Sequence, residues 1–283
     1  MNKQFNLFTL LLFSFAALNA HPGVGIVMDR KGNVFYTDLK QVLKIDPSGK
    51  KTIVVPNVHT HELYLDDQGN LFGEHLWYNG EQKNTWGYFV WRLGDDGKYE
   101  KVINDKEGFM KNYSFVRDHF GRMYWADRSK ECQKVVRKNA DQSITTLGDK
   151  CFENIRWMKS TKGGLYLVDF QYLKKVDDQG TVKTIATRIA DKDMKKSTIK
   201  NQNSVMGLWD DSEGNIYTAI SSEKTIKKFS PQGKEEIVFK TSFPWSPSGG
   251  LIDPQGNLWV LEFMITNSVR VEKIGKDKTK TTY

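Results

Sequence analysis

Asp29-Arg30-Lys31-Gly32-Asn33 leads into Val34-Phe35-Tyr36, and this wording returns along the chain. It returns as Asp66-Asp67-Gln68-Gly69-Asn70, Asp211-Ser212-Glu213-Gly214-Asn215 and Asp253-Pro254-Gln255-Gly256-Asn257. Looser copies are Asp118-His119-Phe120-Gly121-Arg122 and Ser160-Thr161-Lys162-Gly163-Gly164. The chemistry is that of a tight turn. Asp caps it through its side chain, and Gly takes the positive φ it demands. These turns superficially resemble calcium loops. They lack the further acidic ligands and the closing Glu, so they read as structural.

Each turn joins two short runs of β-branched and aromatic residues, which is strand composition. Leu63-Tyr64-Leu65 precedes one turn and Leu258-Trp259-Val260 follows another. A third run in every unit carries a basic residue: Lys44, Arg92, Arg137, Lys175, Lys228 and Lys273. A fourth run closes the unit. The turn glycines recur every 37 to 52 residues, from Gly32 to Gly256. Six units of about 44 residues predict an all-β chain, a six-bladed β-propeller of four-stranded antiparallel blades. A single domain over 21–283 is expected, because no Pro/Gly/Ser linker interrupts the period.

The units resemble NHL repeats, and the whole resembles the SMP-30/gluconolactonase-like propeller superfamily. That resemblance implies a central channel holding a calcium or zinc ion and the hydrolysis of lactones. It also implies ligands from several first strands. The matching column here reads Val24, His61, Tyr113, Ile155, Met206 and Ser248, where only His61 is a metal-binding type. Streptogramin lyase is similar in repeat style, but its catalytic His and Glu residues are spread over separate blades.

The 283 residues include 42 Lys+Arg and 34 Asp+Glu, a formal net charge of +8. The 8 Trp, 11 Tyr and 16 Phe exclude a disordered chain. Residues 1–20 read as a signal peptide: Lys3, a mostly apolar stretch from Phe5 to Ala17, then Ala20. Export to the periplasm or outside the cell is expected, with no membrane span in the mature chain and a monomeric state. Cys132 and Cys151 then suggest a disulfide. The basic residues follow the blade period, apart from a cluster at Lys192, Lys195, Lys196 and Lys200. They read as a solvated rim, and no nucleic acid partner is expected.

Starts of first strands and ends of second strands share one face, where a propeller carries function. The second unit places His59, His61, Glu62, Glu74 and His75 there. His59 and His61 share a strand face. His59, His61, Glu62 and His75 are the candidate ligands of a divalent metal cation. Glu74 or Glu262 is the candidate base, and Arg156 would steady developing negative charge. Trp77, Tyr78 and Trp86, with Asn112, Asn154 and Asn203, are candidates for substrate binding. The expected function is a metal-assisted hydrolase or lyase acting on a small molecule. The alternative is a non-catalytic propeller that holds a glycan, a peptide or an envelope partner with its aromatic loop 77–91.

Overall fold

The structure is a computed structural model describing residues 22–129, 131–190 and 204–283. The expected leader, the Lys192–Lys200 cluster and Asn203 lie outside those residues. Six antiparallel sheets follow one another in chain order. The first is β1 (Ile26–Met28), β2 (Val34–Thr37), β3 (Gln41–Ile45) and β4 (Lys51–Pro56). The second is β5 (Leu63–Leu65), β6 (Leu71–Tyr78), β7 (Trp86–Leu93) and β8 (Tyr99–Glu107). The third is β9 (Met123–Asp127), β10 (Gln133–Lys138) and β11 (Ile144–Phe152). The fourth is β12 (Ile155–Thr161), β13 (Gly164–Asp169), β14 (Tyr172–Val176) and β15 (Val182–Ala186). The fifth is β16 (Val205–Asp210), β17 (Ile216–Ile220), β18 (Thr225–Phe229) and β19 (Glu235–Lys240). The sixth is β20 (Ser246–Ile252), β21 (Leu258–Phe263), β22 (Val269–Ile274) and β23 (Lys280–Thr282). This is the six-bladed propeller that the repeats predict.

The third blade departs from four strands. Its inner segment is reduced to one bridge, Arg117 to Met123. Local side chains take the backbone groups a ladder would use. Ser114 N donates to Met123 Sδ at 3.4 Å, and Val116 N donates to Ser114 Oγ at 3.0 Å. The Arg117 guanidinium donates to the Ser114 carbonyl.

The turns show why Asn follows Gly. Asp29 Oδ1 accepts Asn33 N at 2.8 Å, and its Oδ2 accepts Asn33 Nδ2 at 2.7 Å. The pattern repeats at Asp66–Asn70, Asp211–Asn215 and Asp253–Asn257. Gly32 sits at φ 82° in the first copy.

The basic residue of each third strand lies opposite an aromatic of the second. The pairs are Phe35–Lys44, Phe72–Arg92, Tyr124–Arg137, Tyr166–Lys175, Tyr217–Lys228 and Trp259–Lys273. Lys273 Nζ stands 5.0 Å from the Trp259 ring, a cation–π contact.

Apolar seams hold the blades together. Phe35, Val42 and Val55 of the first blade pack with Leu71 and Trp91 of the second. Tyr166, Val168 and Leu173 of the fourth pack with Val205, Ile216 and Phe229 of the fifth. The ring closes in the same way: Ile26, Val34 and Tyr36 meet Trp259, Leu261 and Val271. Tyr283 stacks on Trp259 at 5.6 Å. Each sheet is built from consecutive strands, so the last blade meets the first by packing and not by a shared sheet, with the Gly249 backbone close against the Val24 carbonyl.

Cys132 and Cys151 form the expected disulfide, with Cα atoms 4.8 Å apart. It ties the approach to β10 to the end of β11. Replacing both with serine is expected to lower stability by about 3 kcal/mol, the chain-entropy value for such a loop. Urea melts of the double variant and of reduced wild-type protein should coincide. No described helix is long and apolar enough to cross a membrane.

Candidate functional site

The inner strands surround a central channel of about 1240 Å³. The carboxylates of its lining are Asp29, Glu62, Asp127 and Asp210, and Glu62 lies just ahead of β5. The connector that carries Glu62 is laced to the blades on both sides. Thr37 Oγ1 donates to the Thr60 carbonyl at 2.7 Å, and Thr60 Oγ1 donates to the Glu74 carbonyl at 2.6 Å. His59 N donates to His75 Nδ1 at 2.8 Å, and Leu76 N donates to the His59 carbonyl at 3.1 Å. His61 N donates to Glu74 Oε1 at 2.6 Å, and His61 Nδ1 lies 3.2 Å from the same oxygen. Glu74 is 2% exposed and its Oε2 is buried without a hydrogen-bond partner.

Glu62 itself lines the channel and is partly buried. Burial first, and the Glu74 charge second, push its carboxyl up to about 7, while His61 and Arg128 pull it down. Arg128 reaches across the mouth. Its Nη2 donates to the Ile155 carbonyl at 2.8 Å and its Nε to the same oxygen at 3.3 Å. Arg156, the next residue, lines the channel too. Burial holds both guanidiniums below their ordinary value. Asn112 stands at the mouth with φ 57°.

The other candidates divide. Asn154 does not line the channel; its backbone N donates to Asp169 Oδ1 at 2.7 Å and its backbone carbonyl accepts from Phe170 N at 2.9 Å. Glu262 does not line the channel. It is 0% exposed and accepts from Arg270 Nε at 2.5 Å. Burial pushes its carboxyl up to about 7 against the pull of Arg270. Its folded pKa is raised, so the stabilising protonated form is fully present below about 4.5 and is lost as pH rises through about 7. Glu262→Gln is expected to flatten that decline by up to about 3 kcal/mol in urea melts taken across this range.

Trp77, Tyr78 and Trp86 sit on a β-hairpin, not on a loop. Strands β6 and β7 run on past the blade, pairing Trp77 with Gly87 and Tyr78 with Trp86. The Trp77 ring covers Gly87 so closely that a Cβ there would lie 2.3 Å from it. Trp77 Nε1 donates to Asn79 Oδ1 at 2.9 Å, and Tyr78 hydroxyl bonds Asn84 Oδ1 at 3.1 Å. Cross-strand aromatic pairs sustain the extension.

The expected metal set does not fit. Among the described residues, no three of His, Cys, Asp or Glu converge as ligands. His75 Nδ1 is taken by His59 N, and His61 Nδ1 faces Glu74. A cation beside Glu62 would also meet the charge of Arg128. Arg128 escapes sequence reading because its reach to Ile155 crosses 27 residues. The available signal was its place directly after Asp127 at the end of a second strand.

No protein-family model matches this chain. Over 155 residues it is 26% identical to ribosomal RNA small subunit methyltransferase A of Borreliella burgdorferi. That match covers 51% of this chain and 47% of the other, so the chain spans about half the length of the curated relatives it matches. Among solved structures, a streptogramin B lyase aligns at TM-score 0.56 and 12% identity, covering 92% of this chain and 82% of that one. A gluconolactonase from Xanthomonas campestris aligns at 0.55 and 12%, covering 84% and 82%. The calcium-binding protein regucalcin from Agrobacterium tumefaciens aligns at 0.54 and 14%, covering 85% and 81%. The chain therefore has the six-bladed propeller fold that these lyase, gluconolactonase and regucalcin structures share.

Proposed function

We propose that the protein is an exported hydrolase or lyase that works on a small molecule at the mouth of its channel. The observation that carries this reading is Glu62, a channel-lining carboxyl pushed up to about 7 with Arg128 acting on it and Arg156 on the same channel wall. Titratable groups so perturbed in a main cavity mark sites of proton transfer. Ionised Glu62 takes the proton of a water that attacks an ester or lactone carbonyl. The oxyanion forms toward the two guanidiniums. Collapse breaks the C–O bond, and the proton on Glu62 passes to the leaving oxygen. In elimination, Glu62 instead takes a proton next to the carbonyl and the guanidiniums face the enolate; the enolate pair then forms the C=C bond as the β C–O bond breaks, and the proton on Glu62 passes to the departing oxygen. Glu62 replaces Glu74 and Glu262 as the base, since both of those are sealed from the channel. Lyase and gluconolactonase neighbours support the reading, and the disulfide supports export.

The test is a panel of lactones and esters, with product masses recorded. Hydrolysis adds one water to the substrate mass, and elimination adds none. The rate should inflect near pH 7. A rate flat through that region would remove Glu62 from the chemistry.

A second reading rests on the row of tilted aromatic rings at the hairpin. Tyr78 is 42% exposed, lies 5.2 Å from Trp86, and Trp86 lies 5.5 Å from the exposed Phe109. Such a row suits a glycan face. Trp86→Ala would abolish glycan retention while leaving channel turnover intact.

A further inference from the structure

Deeper in the channel stands a positive charge with no carboxylate around it. Arg117 lines the channel at the end of the third blade's inner segment. Its guanidinium donates to the carbonyls of Ser114 and Val116. Its central carbon lies 5.1 Å from the Tyr113 ring centre and 5.9 Å from that of Tyr64. Asp118, next in the chain, does not answer it. That carboxylate accepts from Arg122 Nε at 2.5 Å and from the Tyr124 hydroxyl at 2.8 Å. Burial holds the Arg117 guanidinium below its ordinary value, and the groups acting on it are the Tyr64 and Tyr113 phenols. A partly buried charge that faces carbonyls, rings and the Tyr113 hydroxyl, and no carboxylate, gains when an opposite charge joins it.

The position of this charge is set by the strand. Tyr64 lies two residues beyond Glu62, and Leu63 between them is buried in the seam. Glu62 and Tyr64 therefore face the same side, about 6–7 Å apart along the strand. Burial raises both phenols, so Tyr64 and Tyr113 stay protonated and able to donate.

We propose that Arg117, Tyr64 and Tyr113 form an anion subsite that seats the carboxylate of a small organic acid, directing the rest of the molecule toward Glu62. The two oxygens of a carboxylate match the guanidinium fork, and the phenols supply further donors. The inference rests on the channel being the working site, and not on the role of Glu62.

The experiment is titration calorimetry with citrate and with inorganic phosphate at constant ionic strength. Wild-type protein is expected to bind citrate saturably. Arg117→Gln is expected to weaken that binding about 10- to 100-fold, the loss of one charged hydrogen-bond partner. Arg117→Gln also loses the bonds to the Ser114 and Val116 carbonyls and should melt somewhat below wild type, so a wild-type circular dichroism spectrum shows that it folds, and Arg117→Lys, which keeps the charge, should recover part of the citrate binding. Arg128→Gln and Glu62→Gln should keep citrate binding. Equal binding by wild type and Arg117→Gln, or no saturable citrate binding, overturns the proposal. Phosphate binding as tight as citrate overturns the carboxylate assignment. If Glu62→Gln keeps full turnover while Arg117→Gln loses citrate, the acid–base reading fails and the subsite stands.

Discussion

Glu62→Gln is expected to lower turnover by about 10²–10⁴-fold, the usual worth of a positioned acid–base group. Its melting temperature at neutral pH should hold or rise. The carboxyl is raised to about 7, so its ionised form destabilises the fold as pH climbs through that value. An amide of the same shape removes this cost. The limb of the rate profile near pH 7 should vanish with the carboxyl. Glu62→Asp keeps the acid but withdraws it toward the strand, so it should retain part of the rate and the limb. Initial rates and thermal melts on the same preparations check both halves. Unchanged turnover in the glutamine variant would eliminate Glu62 as the acid–base group.

Trp91→Ala is expected to destabilise the protein by about 3–5 kcal/mol, the range for truncating a buried large aromatic. Trp91 is 0% exposed and packs in the seam between the first two blades. Its ring fills the space where a Cβ on Gly73 would stand, 2.3 Å from the nearest ring atom. Its Nε1 donates to the Glu74 carbonyl at 3.1 Å and to Thr60 Oγ1 at 3.3 Å. Truncation therefore opens a cavity and loosens the connector that aims Glu62. Turnover should fall together with stability, whereas Glu62→Gln separates the two. Trp91→Phe preserves most of the packing but removes a donor, and should cost about 1–2 kcal/mol. Urea unfolding monitored by circular dichroism measures both. Wild-type stability in the alanine variant would contradict the seam as drawn.

The architecture was legible because its signals are local. An Asp, a Gly and an Asn within five residues define a turn by chemistry alone, and their recurrence counts the blades. The third blade's missing inner strand was not legible. It depends on Ser114, Met123 and Arg117 capturing backbone groups, and no periodicity records that. The candidate site was legible as a neighbourhood more than as roles. His59, His61, Glu62, Glu74 and His75 do gather at one connector, but His75 Nδ1 and Glu74 Oε1 are spent holding it in place. Which of two nearby carboxyls opens to the channel depends on strand alternation near a short β5. Arg117 carries no motif, because its isolation follows from Asp118 turning to Arg122 and Tyr124.

Closure by packing, without a shared sheet, has a further consequence. Every blade is a contiguous meander, and the seam between the last blade and the first is apolar like those between neighbouring blades. A linker from the last outer strand to β1 must cross three strand spacings, about 14 Å. A circular permutant joined across that gap and reopened between the fifth and sixth blades, near Ser242, should fold to the same ring.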